Sequence, residues 1–196
     1  MKACSDEFSV AIAHIANTSF ASGRFPSLWK AGLVTPLLKK PGLDATDIKN
    51  FRPINNLTTL SKILECLALA RLKPHVVSSL NFSPLQSAYR VAHSTAMVKI
   101  VDDFLALVYS GSAVALIGLD ISAAFDTVSH PKLLTRLETE FGIEGAALGW
   151  INSYLSNLHF FVRIRDSSSA VVALSSGVPQ GSVLGLILFT AYRQTD

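Results

Sequence analysis

Val114-Ala115-Leu116-Ile117-Gly118-Leu119-Asp120-Ile121-Ser122-Ala123-Ala124-Phe125-Asp126 is the stretch on which the reading of this chain turns. Its aliphatic run predicts a buried strand over residues 113–119. That strand ends in a carboxylate, and an unpaired buried charge costs several kcal/mol. A divalent cation at Asp120 removes that cost. Magnesium takes one or two carboxylates, with water, substrate phosphates or backbone carbonyls completing its shell, and Ile121 offers such a carbonyl. The plainer alternative is that Asp120 caps the turn after a strand. Phe125 reads either as a ring placed against a ligand or as an ordinary core side chain. Asp126 and His130 read as local, the first in a turn and the second capping a helix that begins at Pro131.

Some fifty residues later comes Gly177-Val178-Pro179-Gln180-Gly181-Ser182-Val183-Leu184-Gly185. It joins a strand to a helix predicted from Gly181 to about Arg193. Glycines there permit close backbone approach, and a helix N-terminus favours a negative group. The Gln180 amide both donates and accepts, which suits contact with a base.

Working outward, residues 8–20 predict an amphipathic helix with Phe8, Ile12, Ile15 and Phe20 on one side. A strand follows over Ala31–Leu38, then a turn-rich loop over 41–50. A helix is expected from Thr59 to before Pro74, with Leu60, Ile63, Leu64 and Leu67 inward. Residues 94–109 carry the clearest helical period (Met97, Ile100, Val101, Phe104, Leu105, Val108), capped by Ser94. Further helices are expected from Pro131 to Gly142 and over 145–156, the latter presenting Ala147, Trp150, Ile151, Tyr154 and Leu155. Residues 159–165 alternate and pair with 170–174 across a turn at Asp166–Ser169. The order predicts an α+β fold, with helices on one face of a mainly antiparallel sheet.

Composition narrows the class. Of the 196 residues 49% are hydrophobic and 16% charged, and mean hydropathy is +0.39, which implies an apolar surface or an incompletely covered core. The longest apolar run, 104–119, is interrupted at Ser110-Gly111-Ser112 and is shorter than the roughly 20 residues of a spanning helix. The N-terminus lacks a secretory pattern. A soluble, intracellular protein (cytoplasm or nucleus) with no membrane partner is therefore expected. Cys4 and Cys66 have no pairing pattern, which suits free thiols in a reducing compartment. Net charge is +3, yet residues 24–73 hold nine Lys/Arg against three Asp/Glu, a local +6. A basic block ahead of an acidic strand end suits phosphate at one lobe and metal at the other. Lys40 and Arg52 flank the 41–50 loop and read as triphosphate contacts or as solvated surface cations. Arg90 reads as a template-backbone contact or as half of a salt bridge.

The motifs together resemble reverse transcriptases of non-LTR (LINE-type) retrotransposons, from about Phe20 to Tyr192. They run in order: Phe25-Pro26-x-x-Trp29-Lys30, Pro36 to Gly42, Asn50 to Ile54, Leu60 to Glu65, Gln86-Ser87-x-Tyr89-Arg90, His93-Ser94-Thr95, Leu119 to Asp126, and Gly177 to Gly185. The resemblance implies the fingers and an incomplete palm of a right-hand polymerase, a partial ferredoxin-like sheet with helices on one face. Residues 1–112 would be a fingers-like, helix-rich basic region and 113–196 the palm portion. It implies RNA-directed DNA synthesis with an RNA template, a DNA primer, dNTP and Mg2+. Asp120 would be the catalytic metal ligand with the Ile121 carbonyl. Phe125 would be the gate against a 2′-hydroxyl. Gln180 and Gly181 would touch nucleotide or template, Lys40 and Arg52 the triphosphate, and Arg90 the template.

This sequence also departs from that pattern. The family's Ala-Asp-Asp segment does not occur in it, Leu186 stands for a usual proline and Ala88 for a usual glycine, and the pattern is lost from Arg193 onward. With one metal carboxylate of three, residues 1–196 are expected to be inactive alone. A non-catalytic nucleic-acid-binding or interaction role for the 24–73 block is the alternative. A magnesium phosphotransferase built on Asp120 and Asp126 is a more distant one.

Overall fold

A computed structural model describes residues 5–83, 86, 95–118, 124–164, 167–179 and 181–193. Helix α1 spans Ser5–Ser22 and leads through a 3-10 turn at Ser27–Trp29 into β1, Ala31–Leu38. The 41–50 loop ends in a second 3-10 turn at Ile48–Asn50 and returns as β2, Phe51–Asn56. Helix α2 covers Thr59–Ser78 and α3 Thr95–Tyr109; α4 is His130–Thr139 and α5 Gly145–Leu155. Three strands follow, β3 at His159–Ile164, β4 at Ser167–Ser168 and β5 at Val172–Ala173, and α6 closes the order at Gly185–Arg193. The fold is α+β with one small sheet, as the element pattern predicts.

Strand order is β2-β1-β3-β4, with β5 also on β3. β1 and β2 pair antiparallel from Leu33↔Asn56 to Leu38↔Phe51, so Pro36 faces Pro53. Beyond the strand ends, the Lys39 amide donates to the Asn50 carbonyl at 2.8 Å. Counting back from that bonded pair puts Pro36–Pro53 at a non-hydrogen-bonded position, where two missing N–H groups cost nothing. β3 pairs parallel with β1 from Ala31↔His159 to Val34↔Val162. It pairs antiparallel with β5, His159 opposite Ala173, which matches the predicted hairpin.

The core draws on both halves of the sequence, from Phe25, Leu64 and Ala68 to Trp150, Ile151, Tyr154, Leu184 and Leu188. Phe25 packs edge-on against Trp150 and Tyr154 at 5.4 and 5.1 Å, and those two rings stack at 6.0 Å. Lys30 is buried and donates from Nζ to the Ser153 and Ser156 carbonyls at 2.6 and 3.1 Å. It thereby satisfies carbonyls at the end of α5. Burial lowers its pKa.

Several expectations need correction. Helix α2 runs through Pro74 to Ser78. The carbonyl that loses its donor is that of Ala70, an exposed residue. The buried face of α2 is Ser61, Leu64, Glu65, Ala68 and Val76, while Leu67 is exposed and Leu60 and Ile63 only half-buried. On α1 the buried positions are Ala16 and Ser19; Phe8 and Ile15 face outward. Ala147 of α5 is likewise exposed. Ser129, not His130, precedes the first residue of α4. Ser94 and Asp166 lie outside the described residues.

The largest correction concerns residues 112–118, which form no strand; Leu116 and Ile117 are 72% and 80% exposed. An extended segment gains ladder hydrogen bonds only beside another strand, and among the described residues none lies beside this one. The neighbouring apolar face of α3 is equally uncovered, with Met97, Val101, Phe104 and Leu105 all exposed. Accessible surface totals 13081 Å², whereas a compact fold of this mass presents about 9,000 Å². The hydropathy of the sequence is thus expressed at the surface.

Candidate active-site region

Three segments converge beside the core. The first is the turn 124–127, which leads into α4. The second, residues 176–178, lies alongside it. The Gly177 amide donates to the Val128 carbonyl at 2.7 Å, the Val178 amide to Phe125 at 2.9 Å, and Ser176 Oγ to Asp126 at 3.3 Å. His130 Nε2 lies 2.7 Å from the Gly177 carbonyl, a bond that requires the Nε2–H tautomer. His130 therefore joins two segments and caps neither. Gly177 has φ +82, and a Cβ there would stand 2.7 Å from the Phe125 carbonyl oxygen. Glycine is what allows the two backbones to meet.

The third segment is the end of β2. A Cβ on Gly181, where φ is +105, would stand 2.7 Å from the Asn55 carbonyl oxygen. The turn after Gly181 is held by Glu65, which is fully buried. Its carboxylate accepts from Ser61 Oγ at 3.0 Å, Ser182 Oγ at 2.9 Å, and the Val183 and Leu184 amides at 2.8 and 3.3 Å. The Tyr154 hydroxyl lies 3.3 Å from it and 2.7 Å from Ser182 Oγ. No cation among the described residues pairs with Glu65. Converging donors supply the compensation that a buried carboxylate needs. Burial, followed by the Glu65 charge, pushes the Tyr154 phenol well above its ordinary pKa. Helix α6 starts at Gly185 and not at Gly181, and the Gly185 amide donates to Ser182 Oγ at 2.9 Å.

Phe125 is half-buried and its ring meets Phe189 of α6 at 5.1 Å, so it belongs to the margin of the core. Lys40 and Arg52 are both exposed on the β1–β2 hairpin, with Arg52 opposite Leu37. Its loop is ordered by Asp44, which accepts from the Thr46 amide and hydroxyl at 2.9 and 2.7 Å; these bonds lower its pKa. Gly181 sits at the Asn55 end of the same hairpin. Asp120, Ile121, Arg90 and Gln180 lie outside the described residues. Among the described residues no group of three His, Cys, Asp or Glu side chains is placed to hold a metal ion. None of their helices is long and apolar enough to cross a membrane.

Sequence reasoning quoted Leu60 to Glu65 as a motif and gave Glu65 no role. One signal was legible: Ser61 and Glu65 stand four residues apart inside an otherwise apolar helical stripe, which marks a polar pair facing inward.

A family model described as reverse transcriptase (RNA-dependent DNA polymerase) matches residues 38–195. This chain belongs to the reverse transcriptase family. It is 31% identical over 183 residues to the RNA-directed DNA polymerase from mobile element jockey of Drosophila melanogaster, covering 92% of this chain and 20% of that protein. The probable RNA-directed DNA polymerases from transposon BS and transposon X-element of the same species are 31% and 32% identical over 170 and 171 residues. Each of those alignments covers 86% of this chain and 18% of the relative. The chain thus spans about a fifth of the length of these relatives. The expected resemblance to reverse transcriptases of non-LTR elements is confirmed, and the Phe125 segment and the Gly177–Gly185 loop both lie within the matched reverse transcriptase region.

Proposed function

We propose that this chain contributes the fingers and part of the palm to an RNA-directed DNA polymerase of a non-LTR retrotransposon. Residues 1–112 act as the fingers-like basic region and 113–196 as palm. The observation that carries this reading is the convergence of three segments: the Asn55 end of the hairpin whose opposite end bears Lys40, the Phe125 turn, and the Gly177–Gly185 loop. Arg52 and Lys40 then meet the triphosphate, the Phe125 ring flanks the sugar, and Gln180 and Gly181 meet nucleotide or template. Arg90 holds template phosphate. Asp120 and the Ile121 carbonyl are the protein donors offered to Mg2+, which supplies charge neutralisation at the phosphates when bound. RNA template, DNA primer and dNTP are the corresponding partners.

Asp120 is the one family metal carboxylate in this sequence, so residues 1–196 alone do not extend a primer. Losing metal-based stabilisation costs a factor of ten in rate for roughly every 1.4 kcal/mol. A Mg2+-dependent primer-extension assay on the purified chain, with Asp120→Ala as control, is expected to show no extension. Extension that Asp120→Ala abolishes would refute inactivity and support the metal role.

The exposed cations Lys39, Lys40, Lys49 and Arg52 on one hairpin favour a second reading, RNA binding without catalysis. Binding that weakens steeply with salt supports it, whereas a log–log slope near zero counts against it.

A further inference from the structure

A cavity of about 360 Å³ opens between α4 and α6, lined by Lys132, Arg136, Tyr192 and Arg193. None of these residues belongs to the convergence described above. Along α6, Arg193 is eight residues beyond Gly185, which places its Cα about 12 Å from the turn at the helix start. The four side chains divide by what they already do. Arg136 is committed, donating from Nε to Glu140 at 2.7 Å and from Nη1 to the Tyr192 carbonyl at 2.5 Å. That second bond neutralises a carbonyl at the end of α6, where the helix would otherwise repel an anion. Lys132 and Arg193 are exposed, and neither has an ion-pair partner among the described residues. Tyr192 lines the same cavity, half-buried at the margin of the core. Among the described residues the only carboxylate bonded to a lining side chain is Glu140, already taken up by Arg136.

Two uncommitted cations beside an aromatic ring, in a cavity within the usual range for small ligands, suit a phosphodiester with its base. We propose that the Lys132–Tyr192–Arg193 cavity is a second nucleic-acid contact, binding a single-stranded RNA phosphodiester at the far end of α6. The proposal rests on the reading of this chain as a polymerase fragment, which makes RNA the polyanion at hand. It adds a site apart from the Lys40/Arg52 hairpin.

The test is RNA binding by the 196-residue chain, measured as a salt titration with a single-stranded oligoribonucleotide. Two double variants are compared with the unmodified chain: Lys132→Gln/Arg193→Gln and Lys40→Gln/Arg52→Gln. All four positions are exposed, so circular dichroism melts are expected to coincide. Each phosphate contact on a single strand contributes about 0.7 to the log–log salt slope. The Lys132/Arg193 variant should therefore lose about 1.4 from the slope and bind roughly tenfold more weakly at low salt. An unchanged slope in that variant, with the hairpin variant impaired, overturns the second site and leaves the polymerase reading standing. Loss in the Lys132/Arg193 variant alone supports the cavity and counts against the hairpin. An unmodified chain with no salt-dependent binding overturns both. Inorganic phosphate competing as well as the oligonucleotide at equal phosphate concentration identifies a simple anion site and overturns the RNA assignment.

Discussion

Glu65 Oε2 and Ser182 Oγ lie 2.9 Å apart, although 117 residues separate them along the chain. Both are buried, and the contact ties α2 to the turn that follows Gly181. Glu65→Ala leaves the Ser182 hydroxyl and the Val183 and Leu184 amides without their acceptor. Hydrogen bonds to a charged group are worth about 1.5–3 kcal/mol, and buried unpaired donors add to the loss. Urea unfolding is expected to show a loss of about 3 kcal/mol or more. Glu65→Gln, which keeps one acceptor oxygen, should lose less. Equal midpoints for Glu65→Ala and the unmodified chain would show that the contact contributes nothing.

Tyr154 gives this cluster a pH signature. Its folded pKa is raised above the ordinary value of 10.0 by burial and by Glu65. The folded chain therefore keeps a proton that the unfolded chain loses, so stability is intact below pH 10 and declines as pH rises beyond it. Tyr154→Phe removes that component and, at neutral pH, costs about 1 kcal/mol for the lost hydroxyl. Unfolding midpoints at pH 9, 10 and 11 should fall more steeply for the unmodified chain than for Tyr154→Phe. Parallel profiles would contradict the buried position of the phenol.

Gly177→Ala isolates the contact between the Phe125 turn and the Gly177 loop. Gly42 serves as its control, because φ there is +84 yet nothing lies within 4 Å of an added Cβ. Gly42→Ala pays only for its backbone conformation, about 1–2 kcal/mol. Gly177→Ala pays that and also drives its Cβ into the Phe125 carbonyl and Asp126 Cα, at 2.7 and 2.8 Å. Its thermal midpoint should drop further than that of Gly42→Ala. Matching midpoints would mean that the two segments do not touch.

The uncovered face of α3 makes the opposite kind of claim. Val101 and Leu105 are 50% and 43% exposed. Val101→Glu/Leu105→Glu should leave the unfolding free energy within about 0.5 kcal/mol, as surface substitutions do. The same change should reduce self-association in sedimentation and binding of a hydrophobic dye. A large loss of stability would place α3 inside the core.

Local rules carried much of the architecture. The span of β1, the 159–164 strand with its returning partner, Pro131 in the first turn of α4, and the α5 face of Trp150, Ile151, Tyr154 and Leu155 follow from periodicity and turn chemistry. Those signals concern neighbours within a few residues, which is why they survive without knowledge of the rest of the molecule. The motif order likewise sufficed for the reverse transcriptase family.

Residues 112–118 and α3 show where that reasoning stops. Their apolar pattern announces a wish for burial, but burial needs a surface to pack against, and periodicity says nothing about whether one is present. The same holds for Glu65: its meaning comes from Ser182, Val183 and Leu184, more than a hundred residues away, which no local window contains. The turn ahead of α6 is likewise fixed at long range, since its Val183 and Leu184 amides donate to a carboxylate on α2. Contacts between distant parts of the chain, and the desolvation they impose, settled what the pattern of residues left open.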